Sequence, residues 1–230
     1  MTKQICDYSD YDYKESFWNQ ENRNYEHNLE VFFITEIIKK YCNNKQSIID
    51  AGCGYGRLFN TYSAHFNTIT LIDFAKNLLD QAKSTIQSNQ SILFLQQSLY
   101  EMKTNQPSDV ILSIRTLHHL NNLNQLFEKF HKNLNPNGIL ILDIPNKTHL
   151  KNRIKHFKNY RQFMNEQPLE LSPNFFNYHP NHVMNVLKDH GFTIIKTYQI
   201  GLFRIPLLKK LISPFILIHV ENWITRLFGF

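Results

Sequence analysis

Three of the chain's seven glycines, Gly52, Gly54 and Gly56, fall within five residues, in the run Asp50-Ala51-Gly52-Cys53-Gly54-Tyr55-Gly56. A chain that uses glycine sparingly and then clusters it needs that loop for close backbone approach. The dinucleotide fingerprint would need glycine at 57, where Arg57 stands, so a nicotinamide or flavin reading weakens. No Gly-Lys-Ser/Thr follows, which excludes a phosphate-binding P-loop.

Carboxylates and imidazoles supply the rest of the candidate chemistry. Asp50 leads into the glycine loop, and Asp73 lies 17 residues past Gly56, at the end of the next apolar run. Asp73 can accept hydrogen bonds through both oxygens, or it can cap the helix that follows. His118 and His119 are adjacent in Ser113-Ile114-Arg115-Thr116-Leu117-His118-His119-Leu120. A neutral imidazole there can take a proton near pH 7, or both rings can pack against the loop and cap it. Cys53 reads as a small packing residue.

The elements that must position these groups alternate. Apolar β-type runs at 47–51, 68–73, 92–95, 109–114 and 138–143 are interleaved with helical patterns at 57–66, 75–88 and about 123–134. A helix over 27–42 precedes them, with Leu29, Phe32, Phe33, Ile37 and Tyr41 at helical spacing. Pro136-Asn137-Gly138 marks a turn before the fifth run. This spacing predicts βαβ units in a parallel sheet buried on both faces, with ligands at the carboxyl ends of the strands. Beyond Asp143 the alternation breaks. A helix opening at Pro180 and ending before Gly191 is expected, then a sixth strand over Phe192–Ile200.

The glycine loop resembles the E/D-x-G-x-G-x-G motif of the class I S-adenosylmethionine-dependent methyltransferases. Leu78–Lys83 resembles that family's helix after its second strand. Ser113–Leu120 resembles the segment of the type 11 branch that ends in a His-His-Leu-like sequence. The likeness covers residues 17–145 and, more loosely, 180–200. It takes in Phe17-Trp18 and Arg23-Asn24-Tyr25-Glu26.

The resemblance implies an α/β Rossmann-like fold: a doubly wound, mostly parallel sheet flanked by helices. An N-terminal cap, a lid inserted after the fifth strand and an atypical helical C-terminal tail would complete it. The implied cofactor is S-adenosylmethionine, leaving as S-adenosylhomocysteine, and no metal is implied. Its expected contacts are Asp50 at the ammonium, with Ala51, Gly52, Cys53, Gly54 and Gly56 around the methionyl and ribose parts. Asp73 would hold the ribose hydroxyls, with Phe74 beside it. Ser98 stands where the family commonly has an acidic residue against the adenine, and Leu99 follows it. Ile114 and Arg115 border the transferred methyl, while Arg23 and Tyr25 are candidates at the carboxylate. His118 and His119 lie where the acceptor sits and are the candidate catalytic pair, with a structural role as the alternative.

One domain is expected from 230 residues, 42% of them hydrophobic. It divides into a cap and helix (1–45), a cofactor-binding core (46–145), a lid (146–178), a helix and strand (179–201) and a tail (202–230). Three scattered cysteines argue against both a disulfide framework and structural zinc. The polar N-terminus lacks a secretory apolar run, and no apolar stretch reaches the roughly 20 residues needed to span a bilayer. A cytoplasmic protein is expected.

Charge is uneven along the chain. Residues 1–145 carry 13 Lys and Arg against 15 Asp and Glu, a net −2, while residues 146–230 carry 12 against 4, a net +8. Basic and aromatic residues share the lid, among them Lys147, Lys151, Arg153, Lys155, Lys158, Arg161, Tyr160, Phe163, Phe175, Phe176 and Tyr178. Such a lid suits an anionic, aromatic or lipid-like small molecule. A solvated basic face with no partner is the plain alternative. Nucleic acid is disfavoured, because no RNA-binding module is appended and the Asn/Asp-Pro-Pro-Tyr/Phe motif is missing. Residues 202–230 are apolar and basic together, which suits peripheral contact with a membrane, and an exposed apolar tail would favour a homodimer. The expected activity is methyl transfer to a small molecule. RNA methylation, or a silent scaffold tethered by the tail, are the alternatives.

Overall fold

The computed structural model describes residues 23–149, 152, 157–203 and 206–228. Helix α1 (Asn24–Tyr41) leads into β1 (Ser47–Ala51), a short α2 (Phe59–Tyr62), β2 (Thr68–Asp73), α3 (Lys76–Thr85), β3 (Ser91–Gln96), β4 (Ser108–Ser113), α4 (Leu123–Lys132) and β5 (Leu134–Leu142). These five strands form one parallel sheet in the order β3-β2-β1-β4-β5. The chain moves outward from β1 to β3, then returns past β1 to lay down β4. That reversal leaves a crevice beyond the carboxyl ends of β1 and β4, where such sheets bind ligands.

Strand alternation sorts the core into two layers. Ile49, Ala51, Ile72 and Ile111 face α4, through Leu123, Leu126, Phe127 and Phe130. Ile48, Ile69, Leu71, Val110 and Leu112 face the other way, toward Ile34 and Ile38 of α1 and Phe59 and Tyr62 of α2. Both faces are covered, which explains the near-continuous apolar runs. Pro136-Asn137-Gly138 lies inside β5 as an irregularity. Ser108 pairs with Leu134 and Val110 with Ile139, so the intervening residues bulge, with Asn137 at φ 62°.

After β5, a hairpin of β6 (Leu169–Ser172) and β7 (Phe175–Asn177) follows the short α5 (Tyr160–Met164). Helix α6 (Pro180–Asp189) begins with His179 as its N-cap and Pro180 in its first turn. The sixth strand expected over Phe192–Ile200 does not form a ladder, and among the described residues the parallel sheet stops at β5. Two clusters claim the apolar residues of this segment. Phe192 and Ile194 pack on the α4 side, while Tyr198 and Ile200 join Tyr25, Leu29 and Phe33 of α1. The segment therefore crosses the sheet edge rather than running along it. Helices α7 (Pro206–Leu211) and α8 (Pro214–Phe228) end the described chain, and Leu217 and Ile218 of α8 pack on α1.

Candidate functional site

The loop after β1 is held open by its own backbone. The amides of Gly52 and Cys53 both donate to the Ile72 carbonyl, at 2.8 and 3.0 Å. Gly52 has φ 85°, and a Cβ there would fall 2.4 Å from Thr116 Oγ1, so the loops after β1 and β4 can meet only at a glycine. Gly54 has φ 55°, yet a Cβ there would meet nothing nearer than Leu78 Cδ1 at 4.0 Å. Its surroundings are open, which leaves a cradle for a bound molecule. Gly56 packs instead against Ile86 beyond the end of α3.

Two carboxylates stand at the ends of adjacent strands. Asp50 is buried and accepts the Tyr62 hydroxyl at 2.7 Å. Burial pushes its carboxyl up to about 7, against the pull of that hydrogen bond. Asp73 accepts the Gly54 amide at 2.7 Å and the Ala75 amide at 2.8 Å. Burial also raises its carboxyl, and these amides oppose the rise. Asp73 is not the N-cap of α3, which is Ala75 without a side-chain cap; through these amides it ties the turn after β2 to the glycine loop.

A buried ionic cluster forms the crevice wall. Glu30 of α1 accepts from Arg57 Nη2 at 2.5 Å and from Arg115 Nε at 2.6 Å. Arg57 Nη1 lies 2.7 Å from His27 Nδ1. A guanidinium only donates, so Nδ1 is the acceptor, and burial followed by the Arg57 charge lowers the His27 pKa. Arg115 sits at φ 56°, a strained conformation for this residue, and its amide donates to Asp143 Oδ1 at 2.6 Å. Asp50, Gly52, Cys53, Gly54, Ile114 and Arg115, all expected from sequence, line the crevice together with Tyr55, Arg57 and Leu58. Ala51 lies beneath them, its carbonyl accepting from Ser113 Oγ at 3.0 Å. Glu30 and Arg57 escaped the sequence reading as site residues. Arg57 had a signal, because it follows the glycines directly. Glu30 had none, being 85 residues from Arg115.

Other expected contacts lie further along the sheet edge. Phe74 is half exposed after β2. Ser98 accepts the Tyr100 amide at 3.3 Å and so caps a 3-10 turn, in which Leu99 is buried. Arg23 begins α1. Tyr25 is turned away from the crevice, buried with Leu217 and Ile218, and its hydroxyl donates to Glu221 of α8. Trp18 lies outside the described residues.

The β6–β7 hairpin lies against the two histidines. Phe175 packs at a tilt of 48° on His118, 4.7 Å between ring centres, and meets His119 edge-on at 6.0 Å. Tyr178 donates its hydroxyl to the Leu120 carbonyl, tying the hairpin to the loop after β4. Burial, then the charges of His119 and Arg115, lowers the His118 pKa to about 3. Burial lowers that of His119 as well, and a hydrogen bond to the Asn174 backbone works against it. Both rings are thus neutral near pH 7. Lys147 is buried, with Nζ 2.8 Å from Asn165 Oδ1 and 2.5 Å from the Gln167 carbonyl, while Lys158 and Arg161 are exposed. Lys151, Arg153 and Lys155 lie outside the described residues.

Residues 17–197 match a family model described as a methyltransferase domain. The chain belongs to this methyltransferase family. A ubiquinone biosynthesis O-methyltransferase of Rickettsia typhi is 28% identical over 123 residues, which is 52% of this chain and 50% of that protein. The chain thus spans about half the length of the curated relatives it matches. An S-adenosylmethionine-dependent methyltransferase from Clostridium acetobutylicum superposes with a TM-score of 0.64 at 13% identity, covering 82% of this chain and 89% of the other. The magnesium protoporphyrin IX methyltransferase of Synechocystis, solved with S-adenosylhomocysteine, gives 0.61 at 17% identity, over 81% and 83%. At these identities the likeness establishes the fold. This methyltransferase fold is the one its motifs imply. No helix among the described residues is long and apolar enough to cross a membrane.

Proposed function

We propose that the chain is an S-adenosylmethionine-dependent methyltransferase acting on the hydroxyl of a small aromatic or lipid-like molecule. One observation carries this reading: an open glycine cradle at Gly54, flanked by the buried Asp50 and the half-buried Asp73 and faced by Arg57 and Arg115. That donor set matches a zwitterionic amino acid joined to a ribose. Asp50 would hold the ammonium, Arg57 the carboxylate and Asp73 the ribose hydroxyls. Ile114 and Arg115 border the reacting end, and Phe74, Ser98 and Leu99 lie toward the adenine. Arg23 is a further candidate at the carboxylate.

When bound, the cofactor supplies an electrophilic methyl on a sulfonium, whose leaving group is a neutral thioether. The chain's own task is alignment and exclusion of water. Its backbone fixes the glycine loop on Ile72, and its lid seats Phe175 over the histidines. The acceptor oxygen takes the methyl and its proton passes to an imidazole. Of the two, His119 is the better base, because a nitrogen whose conjugate acid titrates at about 3, as in His118, takes protons poorly. His118 then acts as the apolar seat for Phe175.

The names of the Rickettsia relatives support a hydroxyl acceptor, and the aromatic hairpin supports an apolar one. Residues 202–230, with four Lys and Arg against one Glu, support a cytoplasmic enzyme in peripheral contact with a membrane. Labelled-methyl transfer tests the activity. Incorporation into an organic extract of metabolites is expected. Incorporation into total RNA, or none into any acceptor, would overturn the reading.

A further inference from the structure

Helix α8 is apolar on two opposite faces. Leu217, Ile218, Glu221 and Thr225 are buried on one. Phe215, Ile216, His219, Val220 and Trp223 occupy the other, at positions that fall within a single stripe at 100° per residue. Leu211 precedes this stripe at the end of α7. The exposures are large: 74% for Leu211, 69% for Phe215, 53% for Ile216, 41% for Val220 and 61% for Trp223. Of eleven exposed large apolar residues among those described, these five lie within thirteen positions. Scattered apolar residues need no explanation, but a stripe along one helix face does.

Its electrostatics select the occupant. Glu221 is the one acidic residue between 202 and 230. It is fully buried, accepting the Tyr25 hydroxyl and the Gly201 amide. The outer face therefore carries no carboxylate among the described residues, while Lys210 is exposed beside Leu211, and Lys39 and Lys40 are exposed in the last turn of α1. A two-fold dimer would set this cationic segment against its own copy and bring like charges together. An anionic lipid surface complements it. Apolar and aromatic side chains would enter the boundary between headgroups and acyl chains, with lysines at the headgroups.

We propose that the outer stripe of α8, Phe215 to Trp223, together with Leu211 at the end of α7, docks the protein on an anionic lipid surface. This rests on the peripheral contact proposed above and commits it to named residues. It is independent of the transfer chemistry, because none of these residues lines the crevice.

The test is co-sedimentation of the full chain with vesicles of phosphatidylcholine, with and without 30% phosphatidylglycerol, read beside S-adenosylhomocysteine binding. The wild type is expected to pellet with the anionic vesicles and to be released by salt. Phe215→Ser/Trp223→Ser should lower the partition coefficient by about tenfold or more, and Lys210→Glu by a few-fold. S-adenosylhomocysteine binding should stay unchanged in all of them, which also reports that they fold. Failure of the wild type to pellet overturns the proposal, as does undiminished pelleting of the double variant. Without pelleting, a mass in sedimentation velocity that halves in the double variant assigns the stripe to a second copy. A Trp223 shielded from quencher until residues 1–22 are removed assigns it to that acidic, aromatic segment. Loss of cofactor binding with vesicle binding intact would instead count against the methyltransferase reading alone.

Discussion

Two buried glutamates organise two ends of this molecule, and they do so differently. Glu30, on α1, is clamped by two guanidiniums, Arg57 and Arg115, at 2.5 and 2.6 Å. Glu221, on α8, accepts two neutral donors, the Tyr25 hydroxyl and the Gly201 amide. The first arrangement fixes positive charge at the wall of the crevice. The second pins an apolar helix in place and removes the segment's one negative charge from its surface. Helix α1 serves both, with Glu30 on the crevice side and Tyr25, Leu29 and Phe33 on the α8 side. A polar site needs charges that are preorganised and partnered, whereas a docking face needs its carboxylate hidden.

The sharpest way to break this comparison is to neutralise each glutamate in turn. Glu30→Gln leaves two partly buried guanidiniums without their carboxylate and should cost about 4 kcal/mol of stability in urea unfolding. Glu221→Gln keeps an acceptor for its neutral donors and should cost about 1 kcal/mol. Equal losses would show that the two sites are built alike.

A smaller difference is expected between the two imidazoles under the lid. His119→Ala should lower kcat about a hundredfold, while His118→Ala should lower it less than tenfold. The reverse order would make His118 the proton acceptor.

Smallest is the pH dependence of Asp50. Its folded value of about 7 lies above the ordinary carboxylate value, so its contribution to stability is full below about pH 4. It is lost as pH rises through 7. In the free protein, Asp50→Asn should remove most of that decline, measured as unfolding free energy at pH 4 and pH 8. Glu221→Gln should leave the decline in place.

The sequence signal was strongest where structure is local. Five apolar runs place the five strands within a few residues, most closely at β1, β2 and β4, which bury both faces. The glycine loop was legible from its spacing. The Glu30 cluster was not, since its three side chains come from a helix and two loops spread over 85 residues. The expected strand at 192–200 failed for a related reason. Its residues are apolar as a strand requires, but Phe192 and Tyr198 belong to different cores, a division that no local pattern encodes. Tyr25 had a motif-like setting ahead of the first strand, and the structure places it against α8.

The central claim is that the crevice between β1 and β4 holds S-adenosylmethionine. Calorimetric titration with S-adenosylhomocysteine tests it most directly, on the wild type and on Gly54→Arg, whose long side chain would enter the open cradle. Binding by the wild type with a loss of about a hundredfold or more in the variant is predicted. No heat with the wild type, or equal affinity in a folded Gly54→Arg, would contradict the account.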